Sequence, residues 1–309
     1  MARRKRGRDI DGWLVVDKPL GPTSAQIVAR VRRALDAKKA GHAGTLDPLA
    51  TGVLAVAFGE ATKTVPAAQD GAKTYRFTVR LGQATATDDA EGAVIAESEA
   101  RPDDAAIRTA LETFRGETLQ VPPIYSAVKH DGARAYDLAR RAARGEPIDL
   151  PELAARPLIV HDIRLIDRPD PDHAEVSLCC GAGGYVRAVA RDLGRMLGCQ
   201  AHVTALRRTA AGPFTLAAAL PGVALEAPDG AAIEAALQPV AAGLSGLMSV
   251  EVTVAEAEEL RHGRSVIRPG LDQRTAWAAL CDAPVALIAV AGDVMRPTRV
   301  FAPTVSSSA

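Results

Sequence analysis

Residues 41–54 read Gly41-His42-Ala43-Gly44-Thr45-Leu46-Asp47-Pro48-Leu49-Ala50-Thr51-Gly52-Val53-Leu54. His42, Thr45 and Asp47 stand among Gly41, Gly44, Gly52 and Pro48. Glycine opens backbone conformations closed to other residues, and Pro48 biases Asp47 towards extended or turn geometry. The stretch is predicted to be a loop that presents a carboxylate. Just beyond it, residues 53–59 (VLAVAFG) form an apolar run short enough for a buried strand, which would give the loop a rigid base. Polar loops on fixed strands are where binding and catalytic groups concentrate. On local chemistry alone, the same residues also make an ordinary Asp-Pro turn with a loop histidine.

The rest of the chain narrows the choice. Its 309 residues suit one large domain with a small one, or two medium domains, and its 48% hydrophobic and 24% charged content is that of a folded protein. The formal net charge is zero but unevenly spread. Residues 1–80 carry 15 Lys+Arg against 7 Asp+Glu, a balance of +8, and the remainder carries 22 against 30, a balance of −8. A basic segment that also holds the carboxylate loop fits a polyanionic substrate, and fits equally a solvated basic face. Cys179, Cys180, Cys199 and Cys281 have no CxxC spacing, which disfavours zinc and a disulfide framework and points to a reducing compartment. The basic residues 3–8 are followed by Asp9, Asp11 and Asp17 where a signal peptide needs its apolar core, and no uncharged window suits a membrane span. The expected location is the cytoplasm.

Read in order, residues 1–11 are a flexible basic arm, and residues 12–19 (GWLVVDKP) a strand ended by the turn at Lys18-Pro19. Thr23 or Ser24 caps a helix through Ile27, Val28, Val31 and Leu35, with Arg30, Arg32, Arg33, Lys38 and Lys39 on it and at its exit. Residues 73–81 (KTYRFTVRL) alternate as a strand with Tyr75, Phe77, Val79 and Leu81 on one face. Residues 82–92 (GQATATDDAEG) read as a hairpin turn or a contact loop containing Asp89. Residues 103–116 are a capped amphipathic helix, and the two prolines in residues 120–129 (QVPPIYSAVK) impose an extended path that lets Tyr125 and Lys129 face a nucleic acid. Two strands follow, at 157–165 and 174–180. A glycine-rich turn, Gly181-Ala182-Gly183-Gly184, then leads through Tyr185-Val186-Arg187 into a helix. That turn is also a generic anion site at a helix start, but it lacks the ending of a nucleotide-binding loop. Residues 221–247 are expected as connecting helices, and from about Val250 short strands and turns take over.

Together these stretches resemble one family, the bacterial tRNA pseudouridine-55 synthases (TruB family). Residues 41–52 meet its Gly-His-x-Gly-x-Leu-Asp-Pro-x-Ala-x-Gly signature position by position. Its Lys-x-Tyr, Thr-x-Thr-x-Asp-x-x-Gly and Gln-x-Pro-Pro-x-Tyr-Ser-Ala-x-Lys patterns appear at Lys73, Thr85 and Gln120. The chain departs from the family at Ala182 and Gly184, where Lys and Thr are common, and in the longer 141–145 link.

The resemblance implies an α+β fold: a mixed, largely antiparallel sheet flanked by helices in a catalytic domain at 12–247, and a small β-rich PUA-like RNA-binding domain at 248–309. It implies isomerisation of uridine to pseudouridine at position 55 in the T loop of tRNA, by base flipping, with no cofactor, no metal and no obligatory protein partner, in a monomer. Asp47 would be catalytic. His42, Tyr75, Tyr185, Arg187, Asp89, Lys18 and Lys129 would be substrate-binding, with Tyr75 packed on the base and Arg187 orienting an ionised Asp47. Whether Asp47 attacks sugar, attacks base or removes a sugar proton stays open. Two rivals remain: an RNA-binding protein without catalysis, and a guide-RNA-dependent synthase of the archaeal and eukaryotic kind.

Overall fold

A computed structural model of the protein describes residues 7–302. Most of the expected basic arm (1–6) and the serine tail (306–308) lie outside the described residues. The chain divides into two compact units. One comprises Met1–Pro48, Gly52–Gly71 and Ala210–Ala309, the other Leu49–Thr51 and Ala72–Thr209.

The first unit opens with strand β1 (Gly12–Lys18), helix α1 (Ser24–Ala34), and strands β2 (Ala40–His42) and β3 (Ala50–Phe58), whose first two residues belong to the second unit, and the 3-10 turn Gly59–Lys63 leads to helix α2 (Val65–Asp70). β1 and β3 pair antiparallel from Gly12↔Phe58 to Lys18↔Gly52, and β2 lies against β3 with His42 opposite Val56. Trp13, Leu14, Val15, Val16 and every residue from Val53 to Phe58 are buried, so both strands read as continuous apolar runs rather than alternating ones. Thr23 is the helix cap: its hydroxyl accepts from the Gln26 amide while the Gln26 side chain accepts from the Thr23 amide.

The second unit holds β4 (Lys73–Leu81), the ribbon of β5 (Gln83–Thr85) and β6 (Val94–Glu97), helix α3 (Asp104–Glu112) capped by Asp103, and β7 (Gly116–Gln120). The short pair β8 (Lys129–His130) and β9 (Ala133–Arg134) precedes α4 (Ala135–Ala143). Then come the long β10 (Arg156–Asp170), β11 (His173–Cys180), α5 (Val186–Met196) and β12 (Ala201–Ala211), whose last residues belong to the first unit. The strand order within this unit is β12-β4-β11-β10-β7, and the β4–β11, β11–β10 and β10–β7 pairs are antiparallel. The expected inward face of β4, Tyr75, Phe77, Val79 and Leu81, is buried, and α5 packs on β4 while α3 packs on β10. The 141–145 extension prolongs α4 and ends where Arg141 pairs with Glu146 at 2.7 Å.

Returning to the first unit, β13 (Phe214–Thr215) pairs with the end of β12, and β14 (Leu220–Pro221) runs parallel to β1. The connecting helices expected at 221–247 are one short α6 (Gly230–Ala235) between 3-10 turns at Gly222–Leu225 and Val240–Leu244. Pro221, Pro228 and Pro239 remove the amide donors that longer helices would need. The β-rich end comprises β15 (Met248–Glu251), α7 (Val254–Arg261), β16 (Val266–Ile267), β17 (Thr275–Leu280), β18 (Ala283–Ala291) and β19 (Val294–Val300), in sheet order β15-β17-β18-β19-β16. It has its own apolar cluster around Leu260, Val285 and Met295. Trp277, Ala279 and Phe301 instead join the cluster of Trp13, Val15, Val53, Ala55 and Phe214, where the Trp13 and Phe214 rings lie 4.8 Å apart. No described helix is long and apolar enough to cross a membrane.

Candidate active site

Asp47 is half-buried on a loop whose two neighbouring residues are both pinned. On one side, the Ser24 hydroxyl donates to the Leu46 carbonyl at 2.9 Å and accepts from the Leu46 amide at 2.8 Å. Ser24 is free to do so because Thr23 takes the capping role. On the other side, the Pro48 carbonyl accepts from the Gly21 amide at 3.0 Å and from the Lys18 ammonium at 3.4 Å. The loop enters from β2, where Ala43 donates to Ala55 at 2.9 Å, and turns at Gly44 with φ 98° and at Gly52 with φ 99°, conformations that favour glycine. Fixing the residues on either side of a carboxylate aims it.

Lys18, expected among the substrate contacts, is 0% exposed, and its ammonium also donates to the Pro19 carbonyl at 2.9 Å. As placed, it braces the Asp47 loop from beneath. His42 is half-buried on β2.

The second unit carries the other expected residues. Tyr75 is buried on β4, and its phenol is hydrogen-bonded to Arg208 of β12, a guanidinium only 2% exposed. Burial pushes the Arg208 pKa down from its ordinary value, against the opposing charge and hydrogen bond of Tyr75. Arg208 thereby holds the phenol oxygen in place.

Asp89, 2% exposed, accepts from the Thr87 hydroxyl at 2.5 Å and from the Glu91 amide at 3.0 Å, and its other oxygen lies 3.5 Å from Arg187 Nε. Buried Arg187 further donates to the carbonyls of Thr87 (3.0 Å) and Tyr125 (2.9 Å). The structure thus joins Asp89 and Arg187, and Asp89 supports the arginine from inside the loop. Tyr185 stands half-buried at the N-cap of α5, held by the Gln120 amide, which accepts from the Tyr185 N–H at 2.9 Å and donates to its carbonyl at 3.2 Å. Lys129 is exposed on the β8–β9 ribbon.

Sequence reading missed Arg208, Gln120 and the loop role of Ser24. Ser24 stood beside Thr23 as a cap alternative. Gln120 lies within a quoted motif, but the partners of Gln120 and Arg208 are 65 and 133 residues away along the chain, and no local pattern reveals such pairs. Among the described residues, no group of three or more His, Cys, Asp or Glu could hold a metal ion. The first unit supplies a carboxylate on a braced loop. The second supplies a buried tyrosine hydrogen-bonded to a buried cation, and a buried arginine that donates to two carbonyls beside Asp89.

The comparisons with known proteins bear on this geometry. The family model described as "TruB family pseudouridylate synthase (N terminal domain)" matches residues 32–186, and that of the "tRNA pseudouridylate synthase B C-terminal domain" matches residues 187–245. The chain is 52% identical over 306 residues to a tRNA pseudouridine synthase B of Dinoroseobacter shibae (strain DSM 16493 / NCIMB 14021 / DFL 12), covering 97% of this chain and 98% of that one. It is 53% identical over 308 residues to the protein of the same name from Cereibacter sphaeroides (strain ATCC 17025 / ATH 2.4.3), covering 97% and 99%. Among solved structures it resembles a chain of a Cbf5-Nop10-Gar1 complex, with a TM-score of 0.69 and 26% identity over 94% of this chain and 85% of that one. On these matches, which run through the Asp47 loop and the start of α5, the chain belongs to the TruB family of pseudouridylate synthases, enzymes that isomerise uridine to pseudouridine.

Proposed function

We propose that the protein converts uridine to pseudouridine at position 55 in the T loop of tRNA, acting alone on bare tRNA as a cytoplasmic monomer. The observation that carries this reading is the bracing of Asp47 from both sides, by Ser24 at Leu46 and by Gly21 and Lys18 at Pro48. The reaction breaks the bond from N1 to the sugar and forms one from C5. The C5 hydrogen leaves as a proton, N1 takes one up, and nothing is oxidised or reduced.

Asp47 acts at the sugar or base, and Arg187 orients it. Tyr75, steadied by Arg208, packs on the uracil and keeps it in place while it is detached. His42 helps hold the target nucleotide out of its stack, which costs about a few kcal/mol that the pocket must return. Tyr185 and Lys129 touch the RNA, Lys18 and Asp89 support these groups, and the 248–302 sheet, read as PUA-like, adds RNA contacts. Relatives named for tRNA stand at 52–53% identity, twice that of the chain in the Cbf5-Nop10-Gar1 complex, which favours the tRNA reading over a guided one.

Tritium release from C5-labelled uridine in an unmodified tRNA transcript tests this. Wild type should release tritium, Asp47→Asn should fall to background, and replacing the T-loop uridine should abolish release. Release by Asp47→Asn would remove the aspartate from the chemistry. Binding of tRNA without release by the wild type would leave an RNA-binding protein or an enzyme lacking its guide.

A further inference from the structure

Helix α5 carries a second arginine one turn beyond Arg187. Residues four apart share a helix face, so Arg191 projects on the same side. It donates to the Asp88 carboxylate at 3.2 Å and to the Val121 carbonyl at 2.8 Å, while its Nε holds Asp192 at 2.9 Å. Arg187 reaches the same two segments one step along, at Thr87 and Asp89 on one side and Tyr125 on the other. Two guanidinium groups therefore run side by side between the 87–89 loop and the 121–125 segment.

Both segments need such ties. Asp88 stands at φ 60°, in left-handed backbone, and its carbonyl accepts from the Val203 amide at 3.1 Å. Val121 precedes Pro122 and Pro123, which offer no amide donors for a strand ladder. The Gln120 amide fastens the same segment to the start of α5, where no side chain of the helix itself caps the end. The Asp88–Arg191 pair is nearly out of solvent, with side chains 17% and 13% exposed. Burial pushes the Asp88 carboxyl above its ordinary value, against Arg191 and Arg187, so the arginines compensate a costly charge.

We propose that Arg191 is a positioning residue for the isomerisation: by tying Asp88 to the Val121 carbonyl it sets the spacing of the two segments that hold Arg187, and so how Arg187 is presented. The proposal rests on the catalytic reading above. Only the forked guanidinium can serve both acceptors and Asp192 together, since a lysine offers one compact ammonium.

The test uses the full chain with Arg191→Gln, Arg191→Lys, Asp88→Asn and the double variant Asp88→Asn/Arg191→Gln. Asparagine tolerates left-handed backbone, so Asp88→Asn removes the charge without straining the turn. In hydrogen exchange, which needs no activity, the 85–92 and 120–128 peptides should both exchange about fivefold faster or more in Arg191→Gln, and no faster in the double variant. With the tRNA transcript, the single-turnover rate at saturating RNA should fall about tenfold while the Kd for tRNA stays within about twofold, and Arg191→Lys should recover little. Unchanged exchange in either segment overturns the tie. Weaker tRNA binding at an unchanged single-turnover rate would make Arg191 an RNA contact and overturn the positioning role. A wild type without turnover overturns the catalytic reading and Arg191's part in it, while the exchange result still decides whether the tie exists.

Discussion

Ser24 shows how much one hydroxyl can settle. It satisfies both backbone groups of Leu46, immediately before Asp47, from a position that is itself buried. Ser24→Ala leaves a buried N–H and a buried carbonyl without their partner, so stability should fall by about 1–3 kcal/mol in urea unfolding, with a lower turnover at unchanged tRNA affinity. Loss of affinity instead would place Ser24 at the RNA. The carboxylate loop was legible in residues 41–54, because glycine, proline and aspartate act on their own backbone. That Thr23 rather than Ser24 caps the helix was not legible, because both fit the local rule and the decision is made by Leu46, 22 residues away. Arg191 and Arg208 escaped for the same reason: an arginine's partners are set by which strands and loops meet it.

At the scale of elements, the start of α5 explains its own departure from the family pattern. A Cβ at Gly184 would fall 2.7 Å from Cys180 Sγ and 3.0 Å from Leu158 Cδ1, so the room a threonine would need is filled by a thiol and a leucine methyl. Burial pushes the Cys180 thiol up to about 12, which keeps it a neutral filler. Gly184→Ala should cost about 1–3 kcal/mol by overpacking. Adding Cys180→Ala should return part of that cost, and equal costs with and without it would show that Leu158, not the thiol, limits the site. Elements with strong local signals were legible: α1 and α3 lie where their apolar spacing and caps put them, and α5 follows the glycine-rich turn. Residues 221–247 were over-read as helix, because their alanines favour helix while a proline stands just before each short helical stretch.

For the molecule as a whole, the change of composition near Val250 announced the β-rich end, but nothing in it announced the shared core. Phe301, Trp277 and Ala279 pack with Trp13, Val53 and Phe214. Glu60 accepts from the Ala302 amide at 2.7 Å, and Lys63 donates to the Val300 carbonyl at 2.9 Å. These contacts link residues more than 230 apart in the chain, beyond the reach of any window of sequence. Phe301→Ala should therefore destabilise the first unit by about 3–5 kcal/mol, read by urea unfolding with Trp13 and Trp277 fluorescence. A cost under about 1 kcal/mol would mean that the β-rich end contributes little to that core. The two units also differ in when they can be completed on the ribosome. The second is almost one continuous stretch, and its strands are all in hand once residue 209 has emerged. The first must wait for residues 214 to 301, so a nascent chain can complete the pair of Tyr75 and Arg208 while the apolar cluster that Phe214, Trp277 and Phe301 close is still open.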